Sequence, residues 1–187
     1  FFADDALQLP HPRFHYRRFV LEPLCEIAPY LYLEFWESYA FEYLNMLNGI
    51  YISTLEEALI GVDEVENAKA ILPALNDLLA QLSITAAPLS VEDLLKLHKE
   101  KSTHIYLLKD APLGSVIGIF TIALTPLLTG KKAWLEDVIL HKNHRGKGLG
   151  KAMVRAAEDY ARLLGATQLN LTSSPKRTAA NALYRSL

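Results

Sequence analysis

One run, W-L-E-D-V-I-L-H-K-N-H-R-G-K-G-L-G-K from Trp134 to Lys151, constrains this chain more than any other stretch. It reads as a buried strand over Ala133 to Leu140, a polar basic turn from His141 to Arg145, a loop with Gly at 146, 148 and 150, and then a helix. That order places unpaired backbone N–H groups and the positive end of a helix dipole at the carboxyl end of a strand, where an anionic group such as a pyrophosphate is held well. Glycines without a Cβ let the main chain approach the phosphate. Arg145, Lys147 and Lys151 add positive charge at the same spot.

Two other phosphate loops do not fit. The dinucleotide fingerprint spaces its glycines G-x-G-x-x-G and needs an acidic residue some twenty positions on, whereas here the spacing is G-x-G-x-G; the nucleotide loop G-x-x-x-x-G-K-[ST] is absent as well. A net charge of −2 gives no electrostatic reason to expect a nucleic-acid partner, so the basic residues of the loop act locally. Hydrophobic residues at 51% and charged ones at 21% describe a folded chain. The longest apolar run, Val116 to Leu128, is broken by Gly118 and Pro126 and is too short for a membrane span. A single cysteine, Cys25, excludes an internal disulfide and suits a reducing, cytoplasmic compartment.

Around the loop, helix and strand patterns alternate. Ala68, Ile71, Leu72, Leu75, Leu78, Leu79 and Leu82 follow helical spacing, with Pro73 tolerated in a first turn. Ser90 with Asp93 three residues on predicts a capped helix through His98, which is expected to be a partly exposed helix histidine. Strands are predicted over Thr103–Lys109, Val116–Thr125 and Ala133–Leu140, with a loop from Leu127 to Lys132. The helix Gly148–Leu164 stops at Gly165, and a crossover makes Thr167–Thr172 parallel to the strand before the loop. Upstream, Phe35, Tyr39 and Tyr43 recur every four residues as a helix face would, a core or interface stripe that also allows a homodimer. The expected division is an appendage over residues 1–60 and a domain over 61–187.

The pattern R-x-x-G-x-G, preceded by E-D-V and two apolar residues and followed near the end of the chain by A-N-A-L-Y, resembles the acyl-CoA-binding motif of the general N-acetyltransferase superfamily (GNAT). The resemblance covers roughly Glu64 to Leu187. It implies an α/β fold of α+β type, a mixed central sheet flanked by helices, here without the family's last two strands. It also implies acetyl-CoA as co-substrate, a small-molecule or peptide amine as acceptor, and no metal.

By that resemblance Arg145, Gly146, Lys147, Gly148, Leu149 and Gly150 hold the pyrophosphate, and the backbone of Val138 and Leu140 pairs with the pantetheine arm like an added strand. A free lysine-type amine has a pKa of ~10.4, so a base is needed to free it for attack. Glu136 is the candidate, and Asp137 points to the other face if the strand is regular. Tyr184 matches the family's general acid, and Asn181, three residues earlier on the same helix face, is placed to hold the cofactor beside it.

A second resemblance lies at the other end. Leu9 to Pro29, L-P-H-P-R-F-H-Y-R-R-F-V-L-E-P-L-C-E-I-A-P, is similar to the carboxyl-terminal segment of hydroxymethyl-dihydropterin pyrophosphokinase, with His11 and Arg17 matching ATP contacts and Phe19 a pterin contact. That family's D-x-D magnesium pair does not precede the segment, and adjacent Asp4-Asp5 would point to opposite faces of a strand. An acetyltransferase is therefore the first expectation. A kinase remnant or fusion, and a silent acyl-CoA-binding module, are the alternatives.

Overall fold

The computed structural model describes residues 38–61, 63–83 and 85–187, together with 2–3, 8–9, 25, 27–28, 30 and 32–33. The chain divides into two compact units, Phe1–Tyr51 and Ile52–Leu187. In the first, Phe2–Ala3 pairs antiparallel with Gln8–Leu9, Tyr32–Leu33 pairs antiparallel with Ser38–Tyr39, and a helix spans Ala40–Leu47. That helix starts at Ala40 and Tyr39 belongs to a strand, so the helix is shorter than the aromatic spacing predicts. Phe35, His11, Arg17 and Phe19 lie outside the described residues.

The second unit is built on a five-stranded sheet in the order β1-β2-β3-β4-β5. Its elements are β1 (Tyr51–Thr54, starting at the division), α1 (Leu55–Leu59), α2 (Glu64–Leu82), α3 (Val91–His98), β2 (Thr103–Lys109), β3 (Val116–Leu127), β4 (Gly130–Leu140), α4 (Leu149–Leu163), β5 (Ala166–Leu171) and α5 (Thr178–Arg185). β2, β3 and β4 form an antiparallel meander, and β5 joins β4 in parallel after the α4 crossover.

Alternation along the strands separates two layers of core. On one face Leu107, Ile119 and Ile139 pack with Leu55, Leu59, Ala68, Leu75, Leu78 and Leu94 from α1, α2 and α3. From the neighbouring positions, Tyr106 stacks on Phe120 at 4.8 Å between centroids and meets Tyr160 of α4 at 4.3 Å. Each fully buried Leu, Ile or Phe here contributes roughly 2 kcal/mol through apolar burial.

Local chemistry fixes the helix starts. Asp63 caps α2 by accepting from the N–H groups of Val65 and Glu66, and Ser90 with Asp93 forms a reciprocal capping box on α3. Because Asp63 sets the start of α2, Pro73 falls in the middle of a 19-residue helix and not in its first turn. It removes one backbone donor there, a loss outweighed by the buried stripe on both sides of it. The predicted Leu127–Lys132 loop is also corrected. β3 and β4 pair through to Leu127 and Gly130, leaving only Leu128 and Thr129 as the connection.

Candidate active site

The register between β3 and β4 slips between Ile119 and Thr121, so Phe120 faces two residues of β4, and Asp137 takes a left-handed φ of 49°. This is a β-bulge, and it corrects the expectation of a regular strand at Glu136 and Asp137. The Thr121 hydroxyl, buried, donates to Oδ2 of Asp137 at 3.4 Å. Glu136 stays exposed on the strand just before the bulge.

Beyond the bulge β4 has a free edge. Pairing with β5 ends at Leu135 opposite Leu171, while pairing with β3 continues to Leu140. The His141 N–H donates to the Ile117 carbonyl at 2.8 Å, so by antiparallel alternation Ile139 and His141 bond to β3 while Val138 and Leu140 aim their main-chain groups the other way. One of these is taken: the Leu140 carbonyl accepts from Nε of Arg145 at 2.9 Å. Arg145 thus holds the turn closed while the rest of its guanidinium remains free to meet an anion.

The turn after β4 is one turn of 3-10 helix, Lys142–His144. Gly146 (φ 77°) and Gly148 (φ 81°) then take left-handed backbone that no β-branched residue adopts without strain. Among the described residues, the N–H groups of Gly146, Lys147, Gly148, Leu149 and Gly150 donate to no protein acceptor, and Gly148 heads α4 without any side-chain cap. A Cβ at Gly148 would meet nothing within 4 Å, whereas one at Gly150 would stand 3.3 Å from the Leu183 side chain of α5. The first glycine faces open space, and the last lets α5 lie close.

Loop, β4 edge and α5 enclose a cleft of about 630 Å³. Val138, Leu140, Arg145, Gly146, Gly148, Gly150 and Tyr184 all line it, as do Lys151, Lys176 and Arg177. Four cations and no carboxylate border the space, so an anionic ligand meets only favourable charge there. Tyr184 is half-buried on α5, and burial raises the pKa of its hydroxyl above the usual value near 10, against a smaller downward pull from Arg177. The phenol therefore keeps its proton at neutral pH.

Over residues 72–187, more than half of its length, the chain matches the Acetyltransferase (GNAT) family. It belongs to that family. It is 36% identical over 76 residues to N-acetyltransferase family 8 member 3 of Rattus norvegicus, covering 40% of this chain and 33% of that one. N-acetyltransferase family 8 member 7 of Mus musculus is 39% identical over 62 residues, 33% of this chain and 27% of its own. The alignments thus span a third or less of the length of these curated relatives. In fold the chain is similar to an aminoglycoside acetyltransferase from an uncultured soil metagenomic sample, with a TM-score of 0.59 at 18% identity, covering 74% of this chain and 87% of that one. A putative acetyltransferase from Agrobacterium tumefaciens gives a TM-score of 0.56 at 22% identity, covering 63% and 85%.

Of the expected residues, four do not line this GNAT cleft with the rest: Glu136, exposed on β4 before the bulge, Asn181, Lys147 and Leu149. The Asn181 amide donates to the Ser174 carbonyl at 3.0 Å and does not line the cleft, so it steadies the turn leading into α5. Lys147 and Leu149 are represented at the loop by their backbone N–H groups, and their side chains do not border the space.

Several supporting residues belong to no sequence motif. Oε1 of Gln81 accepts from the Lys142 N–H at 3.0 Å, its Nε2 donates to Asp77 at 2.8 Å, and the same Asp77 oxygen lies 3.3 Å from Nε2 of His141. Nδ1 of His141 accepts from the Asn143 N–H, which places the ring proton on Nε2, toward Asp77. Arg177 donates to the Leu82 carbonyl at 3.0 Å, satisfying an orphan acceptor at the end of α2. The one signal for this brace was Asp77 and Gln81 four apart on a helix, adjacent to an apolar stripe. Among the described residues no cluster of three or more His, Cys, Asp or Glu side chains could hold a metal ion, and no helix is long and apolar enough to cross a membrane.

Proposed function

We propose that this chain transfers an acetyl group from acetyl-CoA to an amine. The observation that carries this reading is the row of unused N–H groups from Gly146 to Gly150, set at the end of a strand whose outward edge is unpaired at Val138, with four cations and no carboxylate around the cleft. A diphosphate fits the loop, and a chain of amides fits the Val138 and Leu140 edge.

The acetyl donor supplies an activated thioester carbonyl. Glu136 takes the proton that the amine loses, directly or through water, so that the nitrogen can form its bond to that carbonyl. Tyr184 gives its proton to the sulfur as the C–S bond breaks, the nitrogen returns its second proton to the tyrosinate, and the N-acetylated amine and free thiol leave. Thr121 and the bulge at Asp137 set the angle at which Glu136 leaves the strand. Asn181 acts on this chemistry by fixing the turn before α5. A cytoplasmic setting goes with this reading, supported by the single cysteine.

The test is calorimetric and chemical. Acetyl-CoA at about one hundred times its dissociation constant should raise folding stability by ~2.7 kcal/mol, and adding an amine should release free thiol. Binding without amine-dependent thiol release would make the chain an acyl-CoA-binding module. Absence of binding would remove the reading altogether.

A further inference from the structure

The stretch of β4 leading to Glu136 alternates cleanly. Lys132, Trp134 and Glu136 are exposed, while Ala133 (0%) and Leu135 (2%) are buried. Lys132, Trp134 and Glu136 therefore stand on one face of the sheet, with Cα atoms of successive members about 7 Å apart. Trp134 keeps 38% of its surface exposed, although a tryptophan in a central strand ordinarily buries its ring. Its neighbours give it room. Across β3 it faces Ala123, and across β5 it faces Asn170, whose amide already donates to the Ala133 carbonyl at 3.3 Å.

We infer that Trp134 is the specificity-determining platform for the acceptor, and that the acceptor is a monoamine whose nitrogen is carried through a short alkyl link on an aryl or other flat apolar body. This rests on the acetyl-transfer reading, with Glu136 as the group that takes the proton. An amine approaching Glu136 along the open face lays the carbons next to its nitrogen over the indole. The ring offers apolar area and, while the amine is still protonated, a π-face for the cation. On the far side of Trp134 stands Lys132, exposed and positive, which repels a second cation at that distance and turns polyamines away. Three side chains on one strand thus define the order of features in the acceptor: amine, flat apolar body, no further positive charge.

The experiment uses the full chain and compares 2-phenylethylamine, n-propylamine and spermidine as acceptors. In the wild type, kcat/KM should favour 2-phenylethylamine over both of the others. Trp134→Ala should raise KM for 2-phenylethylamine about tenfold, with kcat and the KM for acetyl-CoA within about twofold, and should leave n-propylamine nearly unaffected. Trp134→Phe should restore most of the affinity, and Lys132→Ala should improve spermidine relative to 2-phenylethylamine. Calorimetric titration of 2-phenylethylamine into CoA-loaded protein reads the same platform without turnover, and titration of acetyl-CoA alone reads the parent assignment separately. Tight acetyl-CoA binding with no wild-type preference for the aryl amine, or with a preference that Trp134→Ala leaves intact, overturns the inference while the acetyltransferase reading stands.

Discussion

Two hollows border the same sheet at different levels along its strands, and they differ in what their polar groups are doing. The cleft beside Leu140 is lined by three glycines, four cations and no carboxylate. The smaller hollow, about 350 Å³, is lined by Thr54, Glu56, His98, Lys99, Glu100, Lys101 and His104 among others, with no glycine and with charges of both signs. Register places it level with the start of β4, since Thr103 pairs with Ala123 and Ala123 with Trp134, while Leu108, Gly118 and Leu140 mark the cleft end. Several of its main-chain donors are already used: Thr54 and Glu57 cap each other at 3.0 and 2.8 Å, and the N–H groups of Lys99, Glu100 and Thr103 close local turns, while the buried Nδ1 of His98 has no hydrogen-bond partner. A polar lining alone does not make a binding site. A row of main-chain donors left over after folding does, and glycine is what leaves that row over beside Leu140.

The largest expected effect breaks this contrast at Gly148. Valine there must adopt φ near 81° and would fill the open space in front of the loop's N–H groups. Acetyl-CoA affinity should fall by about 100-fold or more, equivalent to ~2.7 kcal/mol, while backbone strain lowers folding stability by about 1–3 kcal/mol. Calorimetry with the Gly148→Val protein measures the first, and urea denaturation the second. Lys101→Ala in the smaller hollow should change neither by a measurable amount. Equal affinity in wild type and Gly148→Val would mean that the free amides are not what separates the two hollows.

Next in size is the proton given to the sulfur. Tyr184→Phe should lower kcat about 100-fold, with KM for acetyl-CoA within about twofold. Sharpening comes from pH. The protonated phenol is the working form, and burial raises its pKa, so activity through this group is retained across neutral pH and lost only as pH rises past a value above 10. A pH profile of the Phe variant should lack that alkaline limb. A limb unchanged in the variant would assign the proton donor to another group.

Much of this architecture was legible from local chemistry. Thr103–Lys109, the Ser90 cap and the Gly165 stop each depend on residues within one turn or one strand, and they stand where their own residue types put them. Arg145 and the glycines were legible for the same reason, because loop and helix start are contiguous in the chain. What was not legible depends on distance in sequence. The bulge at Asp137 arises from a register fixed by β3, and no residue type at 137 demands a positive φ. Pro73 lies mid-helix because the cap at Asp63 starts α2 well before the apolar stripe begins. Gln81 meets Lys142 across 61 positions, and Arg177 meets Leu82 across 95, contacts that only the assembled sheet brings about. Asn181 sits on the expected helix, but the turn at Ser174 takes its amide first.

The smallest effect belongs to the capping box beside the smaller hollow. Thr54→Ala removes the hydroxyl that accepts from the Glu57 N–H and leaves that donor to solvent at the start of α1. Loss of such a cap costs about 1 kcal/mol. Urea unfolding should show a lower midpoint with an unchanged slope, since no change in exposed area is expected. kcat and KM for acetyl-CoA should stay at wild-type values, because the loop at Gly146–Gly150 and the β4 edge draw on neither α1 nor its cap. A Thr54→Ala protein with normal stability and impaired turnover would reverse the assignment of the two hollows, giving the smaller one a part in the chemistry and making the capping box incidental.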